Sequence, residues 1–546
     1  MKKTKQTAKK STSLFFSGVI ILTFANILIK ILGVTLKIPL SHILGDEGMG
    51  YYNTAYDIYV WFYMISTAGL PVAISILISE SRAKGNIREA KKIYRITMTL
   101  FVIIGLLGMF IMMGGAKLFA AAYEFTESYI AIIAIAPTLF FICIASAIRG
   151  YFQGYQEMIP TAGSQIIESL GKMILGILFA CIGINMGYSL PVVAAMTILG
   201  LTIGVAFGML FLCIKKLRFN PAPYDEQYLI NDGVSLPVRS TKELVWVIAA
   251  TAIPITISSS VMSFTSMIDG MILSRRLQGI GYTELETLAM FGNYKTLAIS
   301  MFNMPPVLIY PISYSVIPLL SASIAGGERK KIKLIINSVL KTASLIIFPC
   351  MFGLSFLSEP ILKLLFADDS AETAAPLLSV LALSLFFVAM LSVTNAILQA
   401  YKFERKPIIS LLAGSAVKLI SSYVLIGTPS INIFGAPIGT FLCYLTICLL
   451  NFYFIKKYVH VKINVMSIVV KPLICGVICG GAAWILYNAM DIFLPSAIAT
   501  VLAIILAAAI YVIAIFTLKC ITKTDLEYVP KGNKIYSVLK KVRLMG

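Results

Sequence analysis

Apolar runs of about 20 residues, each long enough to cross a bilayer as a helix, recur fourteen times along the chain. They cover approximately 13–36, 51–79, 95–114, 129–149, 160–183, 189–214, 244–272, 288–325, 337–357, 374–401, 408–426, 433–455, 468–490 and 494–518. The pattern predicts an all-α polytopic membrane protein with about 14 transmembrane helices. Some runs carry helix breakers. Gly69-Leu70-Pro71 falls in the second, and Pro305, Pro306, Pro311 and Pro318 crowd the eighth. Kinks are expected at both places, as a bending gate or as fixed curvature.

The polar breaks give an independent test of the count. With the N-terminus in the cytoplasm, the inner breaks hold Arg82, Lys84, Arg88, Lys91, Lys92 and Arg95, then Arg149, then Lys215, Lys216 and Arg218. They continue with Arg329, Lys330, Lys331 and Lys333, then Lys402, Arg405 and Lys406, then Lys456, Lys457 and Lys462. The outer breaks hold only Lys117, Arg275, Arg276 and Lys363, and acids dominate there. This is a positive-inside pattern, and one missed span would invert half of it. Both termini are therefore expected in the cytoplasm.

Composition agrees with lipid as the solvent. The chain is 58% hydrophobic and 13% charged, against roughly 25% charged in a soluble protein. The net charge of +20 suggests nucleic acid in a soluble protein, but here it belongs to the cytoplasmic loops, and no nucleic-acid partner is expected. The N-terminal lysines and the run from Leu14 resemble a signal peptide, but the run is longer than a signal's apolar region, so a retained first span is expected. Eight of the nine cysteines lie in apolar runs and Cys520 lies just after one, which suits packing.

The longest internal polar stretch, 215–243, separates two halves that look weakly alike. Gly50-Tyr51-Tyr52-Asn53-Thr54 resembles Gly292-Asn293-Tyr294-Lys295-Thr296, and Gln153-Gly154-Tyr155 before Pro160 resembles Gln399-Ala400-Tyr401 before Pro407. Each half also follows its second span with a basic loop, Arg82–Arg95 and Arg329–Lys341. Repeated halves are typical of transporters, with the substrate held between them. The expected division is 1–214 for the first lobe, 215–243 for a linker, 244–457 for the second lobe, 458–518 for two further helices and 519–546 for a basic amphipathic tail on the anionic leaflet.

No phosphate-binding Gly-x-x-x-x-Gly-Lys-Ser/Thr motif is present, and the two histidines, His42 and His460, sit at membrane edges. Transport rather than catalysis is expected, with no metal and no cofactor. The informative residues are charges within the spans: the cations Lys30, Lys37, Lys172, Lys295 and Lys418, against the acids Asp57, Glu80, Glu168 and Asp269. Each cation facing lipid at a helix centre costs roughly 2.5–3.5 kcal/mol, so it must line a watery cavity, pair or snorkel. Glu168 and Lys172 stand four residues apart on one helix face and read as a salt bridge or as cavity-lining groups. Lys37 and Asp269 lie near helix ends, and Glu80 falls at the cytoplasmic rim. Lys30, Lys295 and Lys418 have no acid within helical reach. Such a surplus of cations calls for an anionic substrate.

Several stretches carry a family resemblance. These are Gly45-Asp46-Glu47-Gly48-Met49-Gly50-Tyr51-Tyr52, Gly69-Leu70-Pro71-Val72-Ala73-Ile74-Ser75, Arg149-Gly150-Tyr151-Phe152-Gln153-Gly154, and Pro160-Thr161-Ala162 with Ser164-Gln165-Ile166-Ile167-Glu168. Together they resemble the polysaccharide-flippase branch of the MOP exporter superfamily, which holds the stage V sporulation protein B and MurJ-type lipid II flippases. The resemblance implies two six-helix lobes around a cationic cavity and a lipid-tail groove lined by 468–518. It also implies alternating access driven by membrane potential or an ion gradient. Lys30 and Lys37 stand where members carry essential cations on the first span. Some members bind sodium through acids on spans seven and eleven. Asp269 fits the seventh, but 408–426 has no acid. The implied substrate is a polyprenyl-pyrophosphate-linked saccharide of the lipid II type, moved across the bacterial cytoplasmic membrane in cell-wall or spore assembly. Membrane lipids and cell-wall synthesis proteins would be further partners. The competing readings are a MATE-type cation antiporter, governed by acids, and a non-transporting scaffold, in which the lysines are dispensable.

Overall fold

A computed structural model describes residues 2–225, 237–461 and 463–520. The stretch 226–236 of the linker and the basic tail from residue 521 onward lie outside the described residues. Among the described residues the chain is helical throughout, with no strand. Twelve helical segments are long and apolar enough to cross a membrane. The bent pair Asp368–Ala382 and Leu385–Ala400 forms one further span. The first segment, Phe24–Ala83, is 60 residues long. At 1.5 Å per residue it is about three times a bilayer core in length, so it must divide. It does so at Gly45, whose φ of 64° takes it out of the helix, and two spans result. Counted this way, the described residues are roughly consistent with the about fourteen spans expected from the apolar runs.

Both predicted weak points are broken. The helix from Lys2 ends at Thr67 and resumes at Leu70. The eighth span is interrupted by a π-helical turn, Tyr294–Ala298, and a 3₁₀ turn, Pro305–Leu308, before Tyr310–Ala325. Proline removes backbone donors at Pro71 and at Pro305 and Pro306 and forces the local change there, whereas the π-helical turn contains no proline.

The chain forms two compact units, Met1–Gly292 and Asn293–Gly546. The boundary at Gly292 falls one span beyond the polar linker, because helix Thr241–Gly279 packs with the first unit: a Cβ on Gly69 would collide with the carbonyl of Ala252, and one on Gly270 would come within 2.8 Å of Tyr123 Cε1. The core of the first unit gathers Ile74, Leu77, Ile78, Phe101, Ile142 and Phe152. In the second unit, Cys475, Cys479, Ala507 and Tyr511 pack around Leu357. Large apolar side chains also face outward, among them Phe110 and Ile485 at 62% exposure. Such a surface suits lipid and not water.

The linker is fastened to the first unit at both described ends. Glu89 receives three hydrogen bonds from Arg239 at 2.7–3.1 Å, and one from Ser81 Oγ at 3.0 Å. Arg82 donates to the carbonyls of Tyr224 at 2.7 Å and Gly154 at 3.2 Å, and lies 3.9 Å from the Tyr155 ring centroid. Arg82 is therefore a buried tether rather than the free loop charge expected from its position. Tyr224 in turn donates to Glu157 at 2.6 Å, and that bond holds its phenol up at about 12. The basic stretch Arg329–Lys341, expected as a loop, is instead the opening of helix Arg329–Phe356, and Lys341 is buried within it.

Candidate functional site

The fifth span, helix Ile159–Asn185, carries Glu168 and Lys172. The sixth, Leu190–Arg218, presents Gly200, Gly204 and Gly208 at four-residue intervals. A Cβ on Gly204 would stand 2.7 Å from the Lys172 backbone nitrogen and 2.9 Å from the Glu168 carbonyl, and one on Gly208 would stand 2.9 Å from the Ser164 carbonyl. On the facing side, a Cβ on Gly171 would stand 2.7 Å from Gly204 Cα. This glycine stripe lets the two backbones meet, as small residues do between membrane helices. It fixes the height at which Glu168 and Lys172 stand.

Glu168 does not pair with Lys172 as the helical spacing suggested. Its Oε2 accepts from Arg149 Nη2 at 2.8 Å, and Arg149 Nε donates to Ser164 Oγ at 3.0 Å. The Ser164 hydroxyl in turn donates a hydrogen bond to the Thr161 carbonyl at 2.8 Å. Arg149 was counted with the inner loops, but it belongs to helix Pro137–Gly154 and is 6% exposed. A buried charge needs partners: the guanidinium's fork of donors takes a carboxylate and a hydroxyl together, and an ammonium can instead be met by a hydroxyl and an aromatic face.

Lys172 makes that second choice. Its ammonium hydrogen-bonds to Tyr52 and lies 4.4 Å from the Tyr56 ring centroid. Tyr52, Tyr56, Tyr59 and Tyr63 run up one face of the second span as a ladder, with successive ring centroids 6.1, 6.0 and 5.9 Å apart. Sequence reasoning passed over both this ladder and Arg149. The ladder was visible as tyrosines at helical spacing, and Arg149 as a charge still inside an apolar run.

The remaining expected residues fall into separate places. Asp57 and buried Asp269 both lie close enough to Tyr123 to act on its phenol electrostatically, and the Tyr123 hydroxyl donates to the Met267 carbonyl at 3.0 Å. Lys30 is exposed and Lys37 half-buried on the first span. Glu80 pairs with Lys84 at 2.5 Å at an exposed helix end. In the second unit, Lys418 is 8% exposed beside Tyr444, whose ring lies 6.3 Å from that of Phe302. Lys295 occupies the π-helical turn of the eighth span, a feature often found at working sites.

The arrangement is one of cations and tyrosines on helices of membrane length, and nothing in it resembles a nucleophile and its base. Among known proteins, the model of the polysaccharide biosynthesis protein family matches residues 15–324, and the MatE family model matches residues 254–424. Stage V sporulation protein B of Bacillus subtilis (strain 168) is 23% identical over 522 residues, covering 94% of this chain and 98% of the relative. Lipid II flippase MurJ of the same organism is 25% identical over 525 residues, covering 92% and 94%. A solved structure of lipid II flippase MurJ in an inward closed conformation shares the fold with a TM-score of 0.68 at 15% identity, covering 91% of this chain and 98% of that one. With its many helices of membrane length and this match, the chain belongs to the polysaccharide biosynthesis protein family, in the flippase branch of the MOP superfamily, and is a multi-pass membrane transporter rather than an enzyme.

Proposed function

We propose that the protein flips a polyprenyl-pyrophosphate-linked saccharide of the lipid II type across the bacterial cytoplasmic membrane by alternating access, with both termini in the cytoplasm. The observation that carries this reading is the environment of Lys172. The acid one turn away is bonded to Arg149, and Lys172 is held by a tyrosine hydroxyl and a tyrosine ring, neither of which carries charge. Its positive field therefore stays available at membrane depth. At an effective dielectric of about 20, a phosphate charge 4 Å away gains about 4 kcal/mol from one such ammonium. Lys30, Lys37, Lys295 and Lys418 are assigned to the same task, holding the pyrophosphate while the sugar occupies water. Asp57, Glu168 and Asp269 tune the field.

The last two spans expose Trp484, Ile485 and Ile505, an apolar surface suited to a polyprenyl tail. Coupling is assigned to membrane potential or an ion gradient, with no cofactor. The names of the relatives support the substrate class and point to cell-wall or spore assembly.

The test is complementation of a strain depleted of its lipid II flippase. Wild type and Lys172→Arg should restore growth, while Lys172→Ala and Lys30→Ala should not. The MatE match favours one second reading, a cation antiporter. In that case Asp57→Asn and Asp269→Asn abolish transport while the lysine variants retain it. Growth with every lysine neutralised would contradict the assignment of the lysines to the substrate.

A further inference from the structure

The ninth span begins against the usual helix electrostatics. Helix Arg329–Phe356 opens with Arg329, Lys330, Lys331 and Lys333 and has no acid in its first turn, where the helix dipole disfavours cations. Lys331 is taken by Glu328 at 2.8 Å. Lys330 and Lys333, with Lys341 about two turns further on, line a cavity of about 530 Å³ together with Asn337, Ser338 and Ser467. Three aliphatic side chains complete the wall, and among the described residues no carboxylate lines it. The wall is fastened, because the Asn464 backbone N–H donates to Asn337 Oδ1 at 3.1 Å and so ties the entry of the thirteenth span to the ninth. Lys330 and Lys333 are exposed, whereas Lys341 is 8% exposed. A bias of cations toward one membrane face would scatter lysines over that face; it does not call for three of them around one cavity with amide and hydroxyl groups between.

The size lies within the ordinary range for a small-molecule site. The rim indicates the kind of ligand. Val465 and Met466, beside Asn464 and Ser467, are both 58% exposed, and Leu334 is exposed at the other edge. A ligand here meets ammonium, amide and hydroxyl groups inside and bare apolar side chains at the mouth.

We propose that this cavity binds the phosphate of an anionic bilayer lipid, with the acyl chains lying over Leu334, Val465 and Met466. The site is distinct from the lysines assigned to the transported saccharide and does not depend on that assignment.

The experiment measures binding to the purified full-length protein by native mass spectrometry and by the shift in melting temperature. Phosphatidylglycerol, phosphatidylcholine and inorganic phosphate are added separately at equal concentration. Phosphatidylglycerol should bind and raise the melting temperature, and the other two should have little effect. Lys333→Gln and Lys341→Gln should each weaken phosphatidylglycerol binding about fivefold. Lys333→Arg and Lys341→Arg should preserve it, and Lys91→Gln, on the other unit, should leave it unchanged. If Lys341→Gln fails to fold, Lys330→Gln/Lys333→Gln carries the test on two exposed residues. Equal binding of phosphatidylglycerol by wild type and that double variant overturns the proposal, as does equal affinity for phosphatidylcholine. Inorganic phosphate matching phosphatidylglycerol overturns the lipid assignment in favour of a free-phosphate site.

Discussion

The fifth and eleventh spans solve the same problem in different ways. At the offset that relates Gln153-Gly154-Tyr155 to Gln399-Ala400-Tyr401, Arg149 corresponds to Asn395, Glu168 to Gly414 and Lys172 to Lys418. The first unit keeps a buried ion pair there, Arg149 to Glu168 at 2.8 Å. The second unit has neither charge. Asn395 accepts from Asn451 Nδ2 at 2.8 Å, and a Cβ on Gly414 would come within 2.9 Å of the Cys443 carbonyl, so the twelfth span closes over the place where a carboxylate would sit. The lysine persists in both. Structural charge at this depth is thus replaceable by a neutral pair, whereas the ammonium is common to the two halves and is in each case set beside tyrosine.

That comparison is broken most severely at Glu168. Glu168→Gln leaves a buried guanidinium without its carboxylate and should cost about 3–5 kcal/mol, read as a large fall in melting temperature in detergent. Replacing Arg149 and Glu168 together with neutral residues should recover most of the loss; if it does not, the pair is not an isolated charge couple. Gly204→Leu comes next. Its side chain has no room beside Lys172, and overpacking of this kind costs roughly 1–3 kcal/mol, so the variant should melt earlier. Asn395→Ala in the second unit should cost only about 1 kcal/mol, the value of a neutral hydrogen bond. A loss as large as that of Glu168→Gln would remove the contrast between the units.

The smallest effect is at the linker. The Tyr224 phenol is held up at about 12 chiefly by its hydrogen bond to Glu157, so the proton is bound more tightly in the folded protein. Its contribution is complete below pH 10 and fades as pH rises through about 12. Tyr224→Phe should lack that alkaline step in a melting-temperature profile.

Much of the fold could be read in the chain because lipid imposes one length and one periodicity on every span. The breaks near Pro71 and Pro305 followed from prolines, which interrupt the helix ladder, whereas the one at Gly45 was not singled out beforehand. The partner of Glu168 could not be read that way. Helical spacing ranks neighbours within one helix, and Lys172 was the only such choice. Arg149 arrives from another span, brought by helix packing that leaves no local mark. Arg82 and Lys341 were misplaced for a related reason: a charge near a span end looks like a loop charge until the packing around it is known.

The proposed transport requires Lys172 and Lys418 to attract an anionic head group. The direct measurement is the flipping rate of a fluorescent polyprenyl-pyrophosphate saccharide in proteoliposomes containing wild type, Lys172→Ala, Lys418→Ala and the two Lys→Arg variants. Each alanine variant should fall at least tenfold, which corresponds to about 1.4 kcal/mol, and each arginine variant should stay near wild type. Wild-type flipping by both alanine variants would contradict this assignment of the lysines.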